Sequence, residues 1–210
     1  MSLPVIVLGA GGHARVLIDA LFIQNVTVIG ITKPGREQLD RTLWKIPLLG
    51  DDNEILHYST DEVQLVNGLG SVGLPNNRRL LFEKFKKHGF TFASVIHPSA
   101  VIASDVKIEE GVQIMAGVVI QTGSSIGCNT IVNTKTAVDH DCLIGSHVHL
   151  ASGVTISGEV KVGEGTHVGA GTTVIQGINI GKNSMVGAGA LVLKDVPEGV
   201  KVIGVPARVV

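Results

Sequence analysis

The chain has 210 residues, of which 44% are hydrophobic and 3% aromatic, and its formal net charge is −1. No stripe of Lys and Arg runs along it, so nucleic acid is not an expected partner. No apolar run is long enough to cross a bilayer, and the N-terminus lacks the basic start of a signal peptide. We therefore expect a cytoplasmic protein without membrane insertion.

The first elements indicate a βαβ unit. Residues 5–8 form an aliphatic run typical of a buried strand, the apolar spacing of residues 15–22 predicts a helix, and residues 26–31 predict a second strand. The glycine-rich turn that joins the first strand to the helix contains Gly9, Gly11, Gly12 and His13. Such a turn offers free backbone N–H groups and a favourable helix dipole to a phosphate.

A dinucleotide is the obvious alternative ligand for this turn. Dinucleotide-binding domains carry Asp or Glu at the end of the second strand, where the carboxylate binds a ribose. This chain has Thr32 and Lys33 there, so NAD is disfavoured. A nucleotide-sugar phosphate and a turn without any ligand stay open as interpretations, and Thr32 and Lys33 are candidate substrate-binding residues in the first.

The rest of the first half continues the α/β pattern. The segment from residue 33 to residue 60 indicates a loop with a short strand and helix, residues 64–70 resemble a third strand, and residues 77–88 predict a helix. We expect its apolar side to contain Leu80, Leu81, Phe82 and Phe85, and its solvated side Arg78, Arg79, Lys84, Lys86 and Lys87. With a boundary near residues 91–94, residues 1–92 form a Rossmann-like domain and residues 93–210 a second domain.

The second half is a repeat. From Ile102 onward an aliphatic residue returns at every sixth position, and the series has sixteen members: Ile102, Ile108, Ile114, Ile120, Ile126, Val132, Val138, Ile144, Leu150, Ile156, Val162, Val168, Val174, Ile180, Val186 and Val192. A period of six fits neither a helix nor an ordinary strand. It is typical of the hexapeptide-repeat left-handed parallel β-helix, an all-β triangular prism with three hexads per coil. We expect about five coils and no projecting loop.

Smaller residues follow the aliphatic ladder in the same register. A small or β-branched residue stands four positions after each aliphatic, and Cys142 is one of them, so we expect its thiol to be buried and inert. Cys128 is the second cysteine, and two cysteines in a chain this long do not make a disulfide framework. Glycine often follows the aliphatic directly, as at Gly127, Gly145 and Gly163, where we expect it to supply corner geometry and close approach.

Four histidines lie within the repeats: His140, His147, His149 and His167. His149 and His167 are eighteen residues apart, so they are expected to stack one coil apart on one edge. His140 stands between Asp139 and Asp141, and a carboxylate beside an imidazole can set its tautomer and stabilise its protonated form. Such an imidazole is the usual general base for an attacking amine or hydroxyl. A surface residue without a chemical role is the alternative interpretation of each histidine.

The spacing of two histidines bears on assembly. His140 and His149 are nine residues apart, which is half a coil, so they lie on opposite sides of one prism. They meet only where a neighbouring subunit packs alongside, which predicts a symmetric oligomer with sites between subunits. Zinc held by three histidines from adjacent chains, as in gamma-class carbonic anhydrases, is an alternative. The N-terminal domain has no place in that enzyme, so we assign no metal site.

Four stretches carry a family resemblance: Gly9–Ala14, His97–Ala100, Val132–Thr134 with Val138–Asp141, and Gly204–Arg208. Together they resemble bacterial sugar acetyltransferases of the PglD/NeuD type, which include UDP-4-amino-sugar and GDP-perosamine N-acetyltransferases. The resemblance covers nearly the whole chain. It implies a homotrimeric acetyltransferase with acetyl-CoA in the groove between adjacent prisms and a nucleotide sugar on the N-terminal domain.

The resemblance also assigns roles to residues. His140 matches the general base, Asp141 its carboxylate partner and Asn133 the active-site asparagine. The residues matched to the acetyl-CoA groove are His149, Gly158, His167, Gly169, Ala170, Gly187, Ala188, Pro206 and Arg208. Within this set Gly158 matches a glycine whose N–H faces the thioester carbonyl. The loop with Gly9, Gly11, Gly12 and His13 matches the one that receives the phosphates and base of the nucleotide sugar.

The expected reaction is direct acetyl transfer to an acceptor amine, with His140 taking the proton and no acyl-enzyme. The family often carries paired acidic residues after the second strand to hold the nucleoside, whereas this chain has Thr32 and Lys33. The nucleotide, the sugar and the glycan pathway therefore stay open. O-acetylation of a sugar hydroxyl, such as that of a sialic acid, and a non-enzymatic nucleotide-sugar-binding scaffold are the alternatives.

Overall fold

The computed structural model describes residues 3–33, 45–71 and 76–210. Its N-terminal part is a four-stranded parallel sheet with helices, in the order β1 (Val5–Leu8), α1 (Gly12–Ile23), β2 (Val28–Thr32), β3 (Leu48–Gly50), a 3₁₀ helix (Asp52–His57), β4 (Gln64–Asn67) and α2 (Asn76–Lys87). The predicted Rossmann-like βαβ opening is confirmed. Part of the segment predicted as a loop with a short strand and helix, residues 34–44, lies outside the described residues.

The strand order β3-β2-β1-β4 buries β1 in the middle of the sheet. Alternate side chains of β1 point to opposite faces. Val5 and Val7 pack with α1, while Ile6 and Leu8 pack with the aromatic residues of α2 and its neighbours. The chain leaves β1 toward β2 on one side and returns to β4 on the other, so the sheet reverses its winding between β1 and β4.

Helix α2 corrects one expectation. Its buried residues are Arg78, Leu81, Phe82 and Phe85, whereas Leu80 is 62% exposed. The spacing 78, 81, 82 and 85 is one face of a helix, and residue 80 lies on another side. Arg78 is therefore not on the solvated face: in the interior, backbone carbonyl groups accept from its Nε and Nη1, while its Nη2 is buried without a hydrogen-bond partner among the described residues.

The C-terminal part is a three-sided prism of parallel strands, each side being one sheet. Sheet I contains β5 (Val95–Ile96), β8 (Gln113–Ile114), β11 (Ile131–Val132), β14 (His149–Leu150), β17 (His167–Val168), β20 (Met185–Val186), β22 (Lys201–Ile203) and the antiparallel β23 (Arg208–Val209). Sheet II contains β6 (Val101–Ile102), β9 (Val119–Ile120), β12 (Ala137–Val138), β15 (Thr155–Ile156), β18 (Thr173–Val174) and β21 (Leu191–Val192). Sheet III contains β7 (Lys107–Ile108), β10 (Ser125–Ile126), β13 (Leu143–Ile144), β16 (Lys161–Val162) and β19 (Asn179–Ile180).

The hexad prediction is confirmed in register. Each aliphatic of the series is the second residue of a two-residue strand and pairs with its equivalent one coil on, as Ile126 does with Ile144. All members from Ile114 to Val192 are buried and form one hydrophobic core. The strands run from β6 to β21 without an insertion, so the left-handed prism has a little over five coils and no projecting loop.

Glycines serve the corners in two ways. Those directly after the aliphatic approach the next coil closely, since a Cβ on Gly163 would lie 2.5 Å from the backbone nitrogen of Lys182. The positive-φ corner falls two residues later and is occupied by glycine at most coils, for example Gly123. Asp141 occupies that left-handed position with φ 58°, at the corner that carries His140. Close approach and corner conformation are thus supplied by different glycines.

Sheet I faces the N-terminal part. Phe92 bridges to Leu65 of β4, whereas Val95 pairs with Gln113 in the prism. Val95 and Met115 pack in the same core as α1. Cys142 is buried within the prism, as predicted from its register. Within the described residues, no helix combines the length and apolar character needed to cross a membrane.

Candidate active site

A cavity of about 740 Å³ lies where the N-terminal sheet meets the prism. One wall is the loop after β1, a second is the loop after β4, and the third is prism surface; the lining residues include Gly9, Gly11, Gly12, His13, Lys33, Gly68, Gly70, Ser71, Asn133, Thr134 and His149. The cavity therefore sits at the carboxyl ends of β1 and β4, where the sheet reverses its winding. Open α/β sheets bind their ligands at this place.

The loop after β1 leaves the start of α1 open toward the cavity. Gly11 is the N-cap of α1, and no side chain caps the first turn. A Cβ added to Gly11 or Gly12 would meet no atom within 4 Å, so both glycines border open space. The free N–H groups and positive end of a 12-residue helix suit a phosphate.

His13 links this loop to the prism. Its Nε2 lies 2.7 Å from Oε1 of Gln113, and the amide nitrogen of Gln113 donates to the carbonyl of Asn67. Since Oε1 can only accept, Nε2 of His13 carries the proton and Nδ1 is left as an acceptor. Burial lowers the pKa of His13 to about 4, with a smaller contribution from Arg78, so the imidazole is neutral. The family resemblance assigns His13 to the loop that receives the nucleotide sugar, but the contact with Gln113 was not predicted.

Thr32 and Lys33 are placed differently. Lys33 lines the cavity, whereas Thr32 is wholly buried and does not. The Thr32 hydroxyl accepts from the N–H of Gly9 at 3.2 Å and donates to a carboxylate oxygen of Asp52 at 2.5 Å. Thr32 thus holds the loop after β1 in place through Gly9 and does not face the cavity. Sequence reasoning did not find that Asp52, which follows the neighbouring strand β3, brings a carboxylate to the end of β2. The Asp51-Asp52 pair was its only signal.

His149 and Asn133 form the prism wall of the cavity. Nδ1 of His149 lies 3.0 Å from the carbonyl oxygen of Ser71, which can only accept, so Nδ1 carries the proton. The Asn133 amide nitrogen then faces the free Nε2 of His149 at 3.4 Å. Burial lowers the pKa of His149 to about 3, which keeps it neutral. The structure thus brings Asn133 and His149 together on the prism wall of the cavity.

His167 extends this wall by one coil. Its ring lies 4.9 Å from that of His149, centroid to centroid, in an edge-to-face arrangement, which confirms the predicted stacking. Burial lowers the pKa of His167, and its Nδ1 is buried without a hydrogen-bond partner. Both imidazoles are therefore uncharged near neutral pH.

His140 and Asp141 lie on another edge of the prism, between sheets II and III. Nδ1 of His140 is 2.8 Å from a carboxylate oxygen of Asp141. Asp141 raises the pKa of His140, and the charges of Asp139 and Glu159 act in the same direction. The Nδ1–H bond to Asp141 leaves Nε2 free to accept a proton. This is the arrangement of a general base with its orienting carboxylate.

Gly158 packs against this imidazole from the next coil. A Cβ on Gly158 would lie 2.5 Å from Nε2 of His140, so only glycine leaves the ring in this position. Among the backbone contacts of the described residues, the Gly158 N–H donates to no acceptor. A free amide beside the proton-accepting nitrogen is placed to stabilise a negative oxygen.

The remaining residues matched to acetyl-CoA lie along the prism. They include four residues on the edge between sheets I and II, the edge that also carries Asn133. Gly169 and Ala170 lie two coils beyond Asn133, and Gly187 and Ala188 lie three coils beyond it. Pro206 and Arg208 belong to the C-terminal hairpin, and Arg208 lines a cavity of about 290 Å³ with Lys194. No group of three His, Cys, Asp or Glu side chains able to hold a metal occurs among the described residues.

The pH dependence of the rate follows from the raised pKa of His140. The imidazole must be neutral to accept a proton, so kcat/KM is expected to rise with pH through a pKa above the ordinary 6.5. In Asp141→Asn the imidazolium loses its main stabilising partner, so this limb moves to lower pH. The plateau also falls, because the ring is no longer held. Profiles of kcat/KM against pH for both proteins test this.

Asp105→Asn is the matched control, since Asp105 lies on the same edge but bonds to Thr122 and Gly123. It should leave the limb unmoved. An Asp141→Asn limb that coincides with that of the unaltered protein would contradict the assignment of His140 as the titrating group.

Comparison with known proteins identifies the family of the chain. Residues 4–85 match the PglD N-terminal domain, and residues 159–194 match the hexapeptide repeat of succinyl-transferase. PerB from Caulobacter crescentus, solved with CoA and GDP-perosamine, is 38% identical with a TM-score of 0.89; the match covers 100% of both chains. The acetyltransferase domain of PglB from Neisseria gonorrhoeae, solved with acetyl coenzyme A, is 29% identical with a TM-score of 0.91, again over 100% of both chains.

The fold and these matches define a hexapeptide-repeat acetyltransferase with an α/β domain in front of its prism. The chain belongs to the family of bacterial sugar N-acetyltransferases that includes PerB. WeeI from Acinetobacter baumannii, at 24% identity and a TM-score of 0.87, shares the fold over the full length of both chains. The scaffold alternative is thereby set aside, because the chain is an enzyme of this family.

Proposed function

We propose that this acetyltransferase moves an acetyl group from acetyl-CoA directly to the amine of a nucleotide-linked 4-amino-4,6-dideoxy sugar, of the UDP or GDP type. The observation that carries the proposal is the His140–Asp141 pair, whose free Nε2 lies beside the unbonded N–H of Gly158. Base and oxyanion donor are the two groups that acyl transfer to an amine requires. Both are present on one edge of the prism.

The acetyl transfer proceeds through one tetrahedral intermediate. The acceptor nitrogen forms a bond to the thioester carbon while Nε2 of His140 takes its proton, and the Asp141 carboxylate stabilises the imidazolium. The Gly158 N–H donates to the oxygen that becomes negative. When the intermediate collapses, the carbon–sulfur bond breaks and the imidazolium returns the proton to the departing thiolate. No covalent enzyme intermediate is needed, and Cys142 takes no part because it is buried.

The nucleotide sugar is assigned to the 740 Å³ cavity. The uncapped N-terminus of α1 supplies donors for the diphosphate, and Lys33 adds a positive charge at the rim. A relative of the same length was solved with GDP-perosamine, which supports a nucleotide-linked sugar here. The assigned substrate-binding residues are Gly9, Gly11, Gly12, His13 and Lys33, with Thr32 and Asp52 supporting the loop.

The charges near His140 favour an amine over a hydroxyl acceptor. Asp139, Asp141 and Glu159 surround the imidazole on an exposed edge, and their negative field attracts a protonated amine, which releases one proton to water before its lone pair attacks the thioester. A sugar hydroxyl carries no charge and gains nothing from this field. O-acetylation is therefore the outcome that the assay below must exclude.

One chain does not hold a complete site. Asn133 and His149 line the cavity, whereas His140 lies across the prism on the edge between sheets II and III. Asn133 and His140 nevertheless belong to the same coil. A rotation about an axis parallel to the prism preserves height along it, so a neighbour's His140 is level with Asn133. This geometry supports a homotrimer with each site between two subunits.

Acetyl-CoA is assigned to the groove between two such prisms. His140, Gly158 and Lys194 lie on one edge at intervals of one or two coils, and Gly169, Ala170, Gly187 and Ala188 lie on the edge that a neighbour would bring opposite. The thioester then lies at Gly158, and the phosphates lie toward Lys194, Arg208 and Pro206. The cytoplasm, where both proposed substrates are made, is the proposed location.

A mass-resolved acetyl-CoA assay tests the function. The purified chain is offered UDP- and GDP-linked 4-amino sugars together with their 4-hydroxy counterparts, and we expect one acetyl group on nitrogen of an amino sugar only. Because an N-acetyl product resists mild alkali and an O-acetyl ester does not, alkali treatment separates the two. Acetylation of the hydroxy sugars, or of no nucleotide sugar in the panel, would overturn the proposal.

A further inference from the structure

Arg78 carries the most deeply buried charge among the described residues, and the proposed reaction does not use it. Its side chain is 2% exposed, and its guanidinium lies between α2, the loop after β4 and the prism. Burial lowers its pKa to about 9, which still leaves it charged at neutral pH. None of the ion pairs formed by the described residues includes it. A buried, unpaired cation is costly, so its contacts indicate what it maintains.

Those contacts converge on one loop. Nη1 of Arg78 donates to the carbonyl oxygens of Asn67 and Leu69, both at 2.7 Å, and Nε donates to the carbonyl of Asn129 on the prism at 3.3 Å. Asn67 and Leu69 begin the loop 67–71, which forms the second wall of the nucleotide-sugar cavity. One planar guanidinium therefore holds the loop and the prism at a fixed separation.

The loop is held from three further directions. The Asn67 side chain accepts from the N–H of Leu69 and donates to the side chain of Asn129. The Asn67 carbonyl also accepts from Gln113, the residue that bonds His13 of the first wall. At its far end, Ser71 bonds Nδ1 of His149. Both cavity walls and His149 are thus connected through hydrogen bonds that meet at Asn67 and Arg78.

We propose that Arg78 is a positioning residue that sets loop 67–71 against the prism, and so aligns the nucleotide part of the acceptor with the Asn133–His149 wall. The proposal rests on the function proposed above. Arg78 touches no substrate in this assignment; it acts through the loop. A single point charge such as Lys cannot reproduce the planar fork that reaches Asn67, Leu69 and Asn129 together.

Arg78→Lys and Arg78→Met test this role. We expect KM for the nucleotide sugar to rise at least about tenfold in both, with KM for acetyl-CoA within about twofold of the unaltered protein. The advantage of the nucleotide-linked acceptor over the same amino sugar without its nucleotide should shrink by the same factor. A merely structural role would lower the active fraction and kcat, and would leave both KM values unchanged.

Arg79→Met is the matched control. Arg79 is the next residue of α2, but its guanidinium pairs with Glu83 and Glu164 at the surface, away from the cavity. It should leave both KM values unchanged. Full rescue by Arg78→Lys, or an equal rise in both KM values, would overturn the proposal. Should Arg78→Met fail to fold, the lysine variant still decides the question, because its KM for the nucleotide sugar can be compared with its KM for acetyl-CoA.

Direct binding of UDP and GDP separates this proposal from the proposed function. Calorimetry with each nucleotide needs no turnover, so it reports on the cavity even if the acceptor class is wrong. Weakened nucleotide binding in Arg78→Lys, but not in Arg79→Met, supports the positioning role. If the unaltered protein binds a nucleotide and Arg78→Lys binds it equally well, the role of Arg78 is wrong while the acetyltransferase assignment stands.

Discussion

Replacing His140 with alanine is expected to lower kcat by about 10²–10⁴-fold, the range that a positioned general base contributes. The variant removes the nitrogen that takes the proton and leaves the Gly158 amide in place. His140 is an exposed side chain at a corner, so its loss should not disturb the aliphatic core. Acetyl-CoA should bind as before, and initial rates at saturating substrates together with calorimetric titration of acetyl-CoA measure both quantities.

His57→Ala is the control for this variant. His57 is 77% exposed at the end of the 3₁₀ helix, and within the described residues it pairs with Glu54, so its removal should change neither rate nor binding. A His140→Ala protein with kcat within about threefold of the unaltered enzyme would remove His140 from the mechanism. The proton of the attacking amine would then have to be accepted by another imidazole or by a second molecule of free amine.

Two inactive chains are expected to restore activity when they assemble together. In Gly11→Glu a carboxylate at the start of α1 repels the proposed diphosphate, because Gly11 borders open cavity space. In His140→Ala the base is missing. If each site takes its cavity from one subunit and its base from the next, every mixed trimer keeps about one site in three intact. Each variant alone should stay below about one hundredth of the unaltered rate.

Co-expression of the two chains with different affinity tags, followed by sequential purification, yields the mixed assemblies for this assay. The same two proteins purified separately and combined just before the assay are the control, since subunits that have not exchanged cannot complement. Verified mixed assemblies without recovered activity would show that cavity and base of one chain serve the same site. The assembly argument from the shared coil of Asn133 and His140 would then be wrong.

The prism was predictable because its information is local and repeated. Each hexad places one aliphatic inward, and sixteen in succession leave no alternative register for the strands from β6 to β21. The same count places His149 over His167 and buries Cys142. Corner geometry was only half predicted. Glycine after the aliphatic signals close approach, but the left-handed corner is two residues later, where Asp141 tolerates it at the site.

The contacts between the two parts of the chain could not be predicted in this way. In the sequence, Arg78 looks like a solvated residue of an amphipathic helix. It lies in the interior because its guanidinium donates to backbone carbonyls as far as 51 residues away along the chain. The Thr32–Asp52 contact likewise depends on the pairing of β2 with β3. Spacing places His149 on the correct prism face, but it carries no information on the Ser71 loop that covers it.

Because the repeat is uninterrupted, the number of coils sets the distance between groups on one edge of the prism. His140 and Lys194 are three coils apart on one edge, which at the usual strand separation is about 14 Å. Deleting or duplicating eighteen residues between Gly158 and Lys194 would keep every inward side chain and corner in phase, yet change that length by one step of about 4.8 Å. Such length variants would select among thioester carriers by reach alone, without altering the imidazole or the sugar cavity.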